Sequence, residues 1–471
     1  MVVPLEYQRT TRETRGRDGQ VVPLDRPQTE WRTDLHVVRC VGGERRLLGP
    51  LASVAGNPAD AAPDALRDLG VALAVEASPG RDSAWSREGV RAFLAGRDPD
   101  LPTVFRRVVD IIDHFMDFQP VPAGDRTLPP AATCRLVALW ILGTYFLPAA
   151  GVVGYLLPVG PAGSGKTKLL LLLGQLGFLG EVINQAGSTA ALKYLAEAGA
   201  TLCFDDVENI QDRTFDPDMR SIILAGNRLG VTATIMVQGP DRAWVPRRFS
   251  VYCPKAFSSI RGFDAVLGSR TIAIPLVRTA STKANREAGD LERWPHDRRA
   301  VVDALWSVAL RHLPLAERLY RTTTPDELLG RELEPWRLVL AMARLLDQGA
   351  GTDHYAEMLA LALAKRRDAH DQGELGAEAW VLRALVRLVL VEGRTRLAAS
   401  AIREEITRQA KDAGALEPDS DDTPITAARI GKLLRGLQLR KRTGQHHGTR
   451  RTHEIDPLAV RDRARAYGIP L

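Results

Sequence analysis

Two hydrophobic periods alternate along this chain, and the switches between them mark out its elements. Over 101–118 the apolar residues Val104, Val108, Ile111, Ile112 and Phe115 recur every three or four positions, which predicts a helix with one buried face. Over 35–41 a short β-branched run predicts a strand, and Gly42-Gly43-Glu44 predicts a turn into a second strand over 45–48. Residues 1–30 are polar and Arg-rich, contain prolines and have no period, so they are expected to be disordered or loosely attached. Between 55 and 100, Gly, Pro and Asp punctuate a single helical pattern at 61–71, and 120–130 reads as a loop.

From Leu136 to Gly160 no residue is charged, a length that could cross a bilayer. Pro148 and the small residues Ala149, Ala150 and Gly151 interrupt it. The pattern therefore predicts a buried helix over 133–147 and a buried strand over 153–159, with no membrane association. The strand runs straight into a glycine-rich loop.

Composition agrees with a soluble globular chain of two to four domains: 471 residues, 45% hydrophobic and 25% charged. The net charge of +6 is mild, but the C-terminal end is markedly basic. Cys40, Cys134, Cys203 and Cys253 form no CxxC pair and have no clustered histidines, which argues against structural zinc and suits a reducing cytoplasm. The N-terminus lacks a basic stretch followed by an apolar run, so no signal peptide is expected.

The chemistry starts at Gly160-Pro161-Ala162-Gly163-Ser164-Gly165-Lys166-Thr167, which matches G-x-x-x-x-G-K-[ST]. The glycines let backbone N–H groups turn inward around phosphates. Lys166 would reach the β- and γ-phosphates, and the Thr167 hydroxyl would ligate Mg²⁺. The following helix, over 168–176 and beginning at Lys168, would point its positive end at the same phosphates. ATP with Mg²⁺ is the expected cofactor. Downstream, 200–206 is an apolar strand ending in Asp205 and Asp206, expected to lie beside the strand that feeds the loop. Asp205 would hold the metal shell and Asp206 would polarise the attacking water, with Glu208 as an alternative base.

After this loop come Ile222–Arg228, Gly230–Met236, Phe249–Ala256 and Gly268–Ile274. This ordered set resembles superfamily 3-like helicase ATPases of phages and integrated mobile elements, within the AAA+ class and near the MCM-type helicases. The resemblance covers about 101–347 and, more weakly, the C-terminal end. It implies a sensor role for Lys255 at the γ-phosphate and an arginine-finger role for Arg270 toward a neighbouring subunit's ATP. Arg331 or Arg337 would be a second sensor. It also implies a hairpin, strands 231–237 and 245–252, entering a central channel with Arg242, Arg247 and Arg248 on nucleic-acid phosphates.

At the C-terminal end a helix over 397–410 precedes a second over 426–437, for which Thr426 is a plausible N-cap. Ile430, Leu433, Leu434 and Leu437 share one face of the second helix, and Arg429, Lys432 and Arg435 share the other. Strands 439–442 and 449–455 are expected to pair as a wing carrying Arg440, Lys441, Arg442, Arg450 and Arg451. Helix, basic helix and basic wing predict a winged helix on duplex DNA.

The expected architecture is an α/β P-loop NTPase of AAA+-like type with a small mixed N-terminal region. Its parts are an accessory region at 1–100, a helical lead-in at 101–147, the ATPase core at 148–280, a helical lid at 281–393 and the winged helix at 394–471. The expected function is an ATP-dependent DNA helicase or translocase that forms a ring, a hexamer by the family resemblance. An ATP-switched initiator or regulator, or a defence or remodelling ATPase, are the alternatives.

Overall fold

The computed structural model describes residues 2–15, 20–48, 85–183, 189–205, 222, 225–238, 243–259, 265–348, 351–371, 377–412, 425–439, 452–467, 469 and 471. These form two units, Met1–Ala362 and Leu363–Leu471.

The first unit opens with β1 (Val2–Arg15), β2 (Val21–Val41) and β3 (Glu44–Leu48), an antiparallel sheet in that order. The polar start of the chain is therefore strand and not disordered. Its Val and Thr residues favour extended backbone, and β2 supplies a partner along most of β1, from Val2↔Val37 to Arg15↔Val21. Gly42 and Gly43 make the turn expected before β3.

Helix α1 (Arg87–Leu94) is capped by the Ser86 side chain, and α2 (Leu101–Phe115) by Asp100, which accepts from the Thr103 N–H at 3.0 Å. The apolar stripe predicted for α2 is the face it buries. Residues expected to loop after it form a short hairpin, β4 (Val121–Ala123) with β5 (Arg126–Leu128). Helix α3 (Pro130–Tyr145) is buried almost all round, and its Trp140 indole donates to the Gly154 carbonyl at 2.7 Å. The uncharged stretch is thus core: among the described residues no helix is long and apolar enough to cross a membrane.

The centre of the unit is an α/β sheet. Strand β6 (Tyr155–Val159) leads into α4 (Lys166–Leu176), then β7 (Glu181–Ile183), α5 (Thr189–Glu197) and β8 (Leu202–Phe204). A hairpin of β9 (Thr232–Gln238) and β10 (Trp244–Ser250) precedes β11 (Lys255–Phe257), short α6 (Ala265–Gly268) and β12 (Thr271–Pro275). The sheet is parallel throughout, in the order β12-β6-β11-β8-β7. This is the expected α/β fold, a five-stranded parallel sheet with a glycine loop between β6 and α4. The strand carrying Asp205 is not next to β6, because β11 lies between them. Five leucines of α4 (169, 170, 172, 173 and 176) are fully buried, each stabilising by about 1.5–3 kcal/mol. Helices α7 (Arg298–Thr322) and α8 (Arg337–Asp347) follow, and the division between the units falls in α9 (His354–Asp371).

The second unit contains α10 (Ala377–Leu385), β13 (Arg396–Ala398), α11 (Ala399–Asp412), α12 (Ala427–Gly436), β14 (Thr452–Glu454) and α13 (Pro457–Ala466). Leu382, Leu397, Ile402, Ile406, Ile430 and Leu434 share its core. Strand β14 pairs antiparallel with β13, Leu397↔His453, whereas the expected wing pairing of 439–442 with 449–455 lies for the most part, 440–451, outside the described residues. Helix α10 belongs to this unit, although it falls in the stretch read as lid. Its apolar residues give no sign of which core they join.

Cys134, Cys203 and Cys253 are buried, and Cys40 is half-buried. Burial raises all three buried thiols, Cys134 to about 12.

Candidate nucleotide site

The turn between β6 and α4 has a shape only glycine permits. A Cβ on Gly160 would lie 2.1 Å from the Leu276 carbonyl oxygen, which belongs to the chain leaving β12. Gly163 and Gly165 hold φ of +77° and +95°, where side chains with a Cβ are strained. Gly165 is also the N-cap of α4, so the first N–H groups of that helix face the loop. Lys166 is buried, and its ammonium donates to the carbonyls of Gly160 at 2.7 Å and Pro161 at 3.1 Å. Ser164 is buried too, and its hydroxyl has no hydrogen-bond partner among the described residues.

The loop borders a cavity of about 490 Å³, lined by Ala162–Lys168 together with Phe115, Met116, Asp117, Thr279, Lys283 and Ala284. That size suits a nucleotide. Several cations surround the loop. Besides Lys166, Lys168 donates to the Lys283 and Ala284 carbonyls, both at 2.9 Å. Burial and neighbouring Arg286 lower the pKa of Lys168. Lys283 donates to Asp113 at 3.0 Å and to the Met116 carbonyl at 3.2 Å. Arg278 donates to the Ala162 carbonyl at 2.7 Å, and Arg286 to the His114 carbonyl at 2.5 Å. Thr279 donates to Asp117. The predicted loop residues 160–168 are brought together, and the 278–286 segment joins them. Sequence reasoning missed that segment because it has no motif, although its position just after β12 puts it at the ligand-binding edge of a parallel sheet.

Asp205, just past β8, closes the site. One carboxylate oxygen accepts from the Thr167 hydroxyl at 2.8 Å and the other from the Ser258 hydroxyl at 2.5 Å. A hydroxyl and one carboxylate are the protein ligands Mg²⁺ usually needs, because phosphate and water oxygens complete its shell. The residues therefore fit that ion. Ser258 is another residue that sequence reasoning missed. The strand expected there ends at 252; with a further strand at 255–257, Ser258 stands at its C-terminal end. Asp206 and Glu208 lie outside the described residues.

Two expected roles meet the geometry differently. Lys255 begins β11, beside Tyr155 at the start of β6, whereas the loop follows Val159 at its end. Four residues of strand separate the two ends, about 13 Å. Lys255 thus stands at the wrong end of the sheet for a γ-phosphate sensor. Arg270 precedes β12, where Thr271 pairs with Tyr155, so it also sits at the end remote from its own loop. That place rules out action on its own loop. Arg337 donates to the Tyr320 and Arg321 carbonyls, both at 3.1 Å, closing the end of α7; Arg331 is exposed.

The β9–β10 hairpin is antiparallel as expected, with Trp244↔Gln238 nearest its turn. Trp244 and Met236 are 65% and 51% exposed, far more than apolar side chains in a packed sheet. Arg248 is exposed, whereas the Arg247 guanidinium lies over the Phe249 ring at 4.8 Å. Arg242 lies outside the described residues. In the second unit Thr426 caps α12, Ile430 and Leu434 are buried, and Arg429, Lys432 and Arg435 are exposed. Arg440, Lys441, Arg442, Arg450 and Arg451 lie outside the described residues.

No protein-family model matches this chain, and no curated protein matches it. Distant structural similarity does exist. The apo C-terminal region of NrS-1, residues 305–718, is 11% identical with a TM-score of 0.29, covering 76% of this chain and 77% of that one. Drosophila ORC bound to DNA is 12% identical with a TM-score of 0.18, covering 85% and 98%. Cdc6p from Pyrobaculum aerophilum is 13% identical with a TM-score of 0.15, covering 76% and 96%.

Proposed function

We propose that this chain is a Mg²⁺-dependent ATPase that works on DNA as a ring-forming helicase or translocase. The observation that carries the reading is the convergence of Thr167 and Ser258 on Asp205 at the mouth of a glycine loop ringed by cations. The amides of 163–167 and the start of α4 hold the phosphates, and Lys166, Lys168 and Lys283 neutralise them. Thr167 and Asp205 hold Mg²⁺, which draws electrons from the phosphates when bound. Ser258 fixes the Asp205 carboxylate. Asp206 orients the attacking water and accepts its proton. Arg270 enters a neighbour's site and stabilises charge on the transferred group. Single-stranded DNA runs past the β9–β10 hairpin with Arg248 on its phosphates, and the α12 face of Arg429, Lys432 and Arg435 meets duplex.

The exposed basic face of α12 also supports a second reading, an ATP-switched DNA binder that does not unwind. The deciding experiment measures ATP hydrolysis with single-stranded and duplex DNA, unwinding of a forked duplex, and mass in solution with ATP. Lys166→Ala should abolish turnover. Normal turnover in that variant overturns the ATPase reading, and DNA binding with hydrolysis but no unwinding selects the second.

A further inference from the structure

Lys255 is fully buried, yet among the described residues its ammonium has no carboxylate as a hydrogen-bond partner. It donates to the Ala225 carbonyl at 3.0 Å and the Val251 carbonyl at 3.1 Å, and lies 3.5 Å from the Tyr155 hydroxyl. Burying an ammonium on neutral groups is expensive, and an apolar side chain of similar volume would often be no less stabilising. Burial accordingly lowers its pKa. Its partners explain the arrangement. Ala225 lies on the chain entering the β9–β10 hairpin, and Val251 lies on the chain leaving it. One side chain thus holds both legs.

The legs are tied to the sheet at the same place. The Tyr155 hydroxyl donates to the Ala225 carbonyl at 2.9 Å, and the Cys253 N–H donates to the Gly226 carbonyl at 3.3 Å. A Cβ on Gly226 would meet the Val251 oxygen at 1.7 Å, so the two legs touch backbone to backbone. Strand β11 then runs from Lys255 to Phe257, and the next residue, Ser258, grips Asp205. Three residues of extended backbone, about 10 Å, separate the hairpin clamp from the group facing the phosphate loop.

We propose that Lys255 is a positioning residue, clamping both legs of the β9–β10 hairpin to β11 so that a shift at Ser258 and Asp205 moves the hairpin. This rests on the reading that the loop binds Mg²⁺-ATP. Coupling of this kind is reciprocal: whatever the hairpin grips changes nucleotide affinity by the same factor.

Trp244, near the hairpin turn, reports the motion. Its fluorescence is taken as the difference between the full-length protein and Trp244→Phe, with and without Mg²⁺-ATPγS, in the native and Lys255→Met backgrounds. Nucleotide affinity is measured in parallel. The expected result is a nucleotide-dependent change in Trp244 quenching that Lys255→Met abolishes, with affinity unchanged within about twofold. Nucleotide binding without a Trp244 response overturns the clamp, as does an undiminished response in Lys255→Met. Loss of affinity and response together assigns Lys255 a merely structural role and also overturns it. Absence of nucleotide binding by the native chain removes the ATPase reading itself. Should Lys255→Met not fold, Tyr155→Phe, which removes one tie to Ala225, is expected to reduce the response, and an unreduced response counts against the clamp.

Discussion

The hydroxyl of Thr167 donates to Asp205 at 2.8 Å, joining residues 38 positions apart in sequence. The other oxygen of that carboxylate is held by Ser258, so Asp205 has little freedom to rotate. Asp205→Asn keeps the shape and removes the charge. Turnover should fall at least about 10²-fold while the protein folds normally. Ser258→Ala should fall less, by about tenfold, since it frees the carboxylate without removing it. Phosphate release at saturating ATP measures both, and equal or reversed effects would refute the assigned roles.

Arg270 stands at the far end of the sheet from its own loop, so any catalytic role belongs to a neighbour's site. Arg270→Ala and Lys166→Ala should each be inactive alone. Mixed together they should recover measurable hydrolysis, because some interfaces then pair an intact Lys166 with an intact Arg270. Titration of one variant into the other reads this directly. Activity of Arg270→Ala equal to the native protein would end the idea.

Arg429, Lys432 and Arg435 project from one exposed side of α12. Replacing all three by Gln should weaken duplex binding and lower the salt slope by about 0.9 for each phosphate that is no longer neutralised. Fluorescence anisotropy across a salt series is the measurement. An unaltered slope would place the duplex elsewhere or nowhere.

Acid should destabilise the first unit before it reaches the carboxylate range. Burial is the main cause that lowers the pKa of His312 and of His354. The unfolded chain therefore binds protons more readily than the folded one. The stabilising contribution is complete above the ordinary histidine pKa, about 6.5, and is lost as pH falls below it. The thermal midpoint should drop between about pH 7.5 and about pH 5.5, and His354→Gln should shallow that drop. A midpoint that rises on acidification contradicts the sign.

The α2 stripe, the β6–loop–α4 unit and the β9–β10 ribbon are legible in the sequence because each writes its period or its glycines into consecutive residues. The order of the sheet is not, since nothing local in Leu202–Phe204 says that β11 will pair between it and β6. The first strands escape a reading by polarity because polar side chains suggest solvent, whereas pairing satisfies their backbones. Lys255 escapes it for a related reason: the expected strand ends at 252, and the separate short strand that begins at Lys255 leaves no period in the sequence. The same short strand hides Ser258. Arg278, Thr279 and Lys283 join the site through tertiary approach, which no spacing encodes.

Three of the four cysteines are sealed in the interior, their thiols held protonated by burial. A folded molecule should consequently resist alkylation at Cys134, Cys203 and Cys253, each becoming reactive only when its surroundings open. Timed labelling with a maleimide would thus act as a stopwatch for local opening of the core. Cys203 would report on the sheet beside Asp205 and Cys253 on the root of the ribbon, with no engineered cysteine needed.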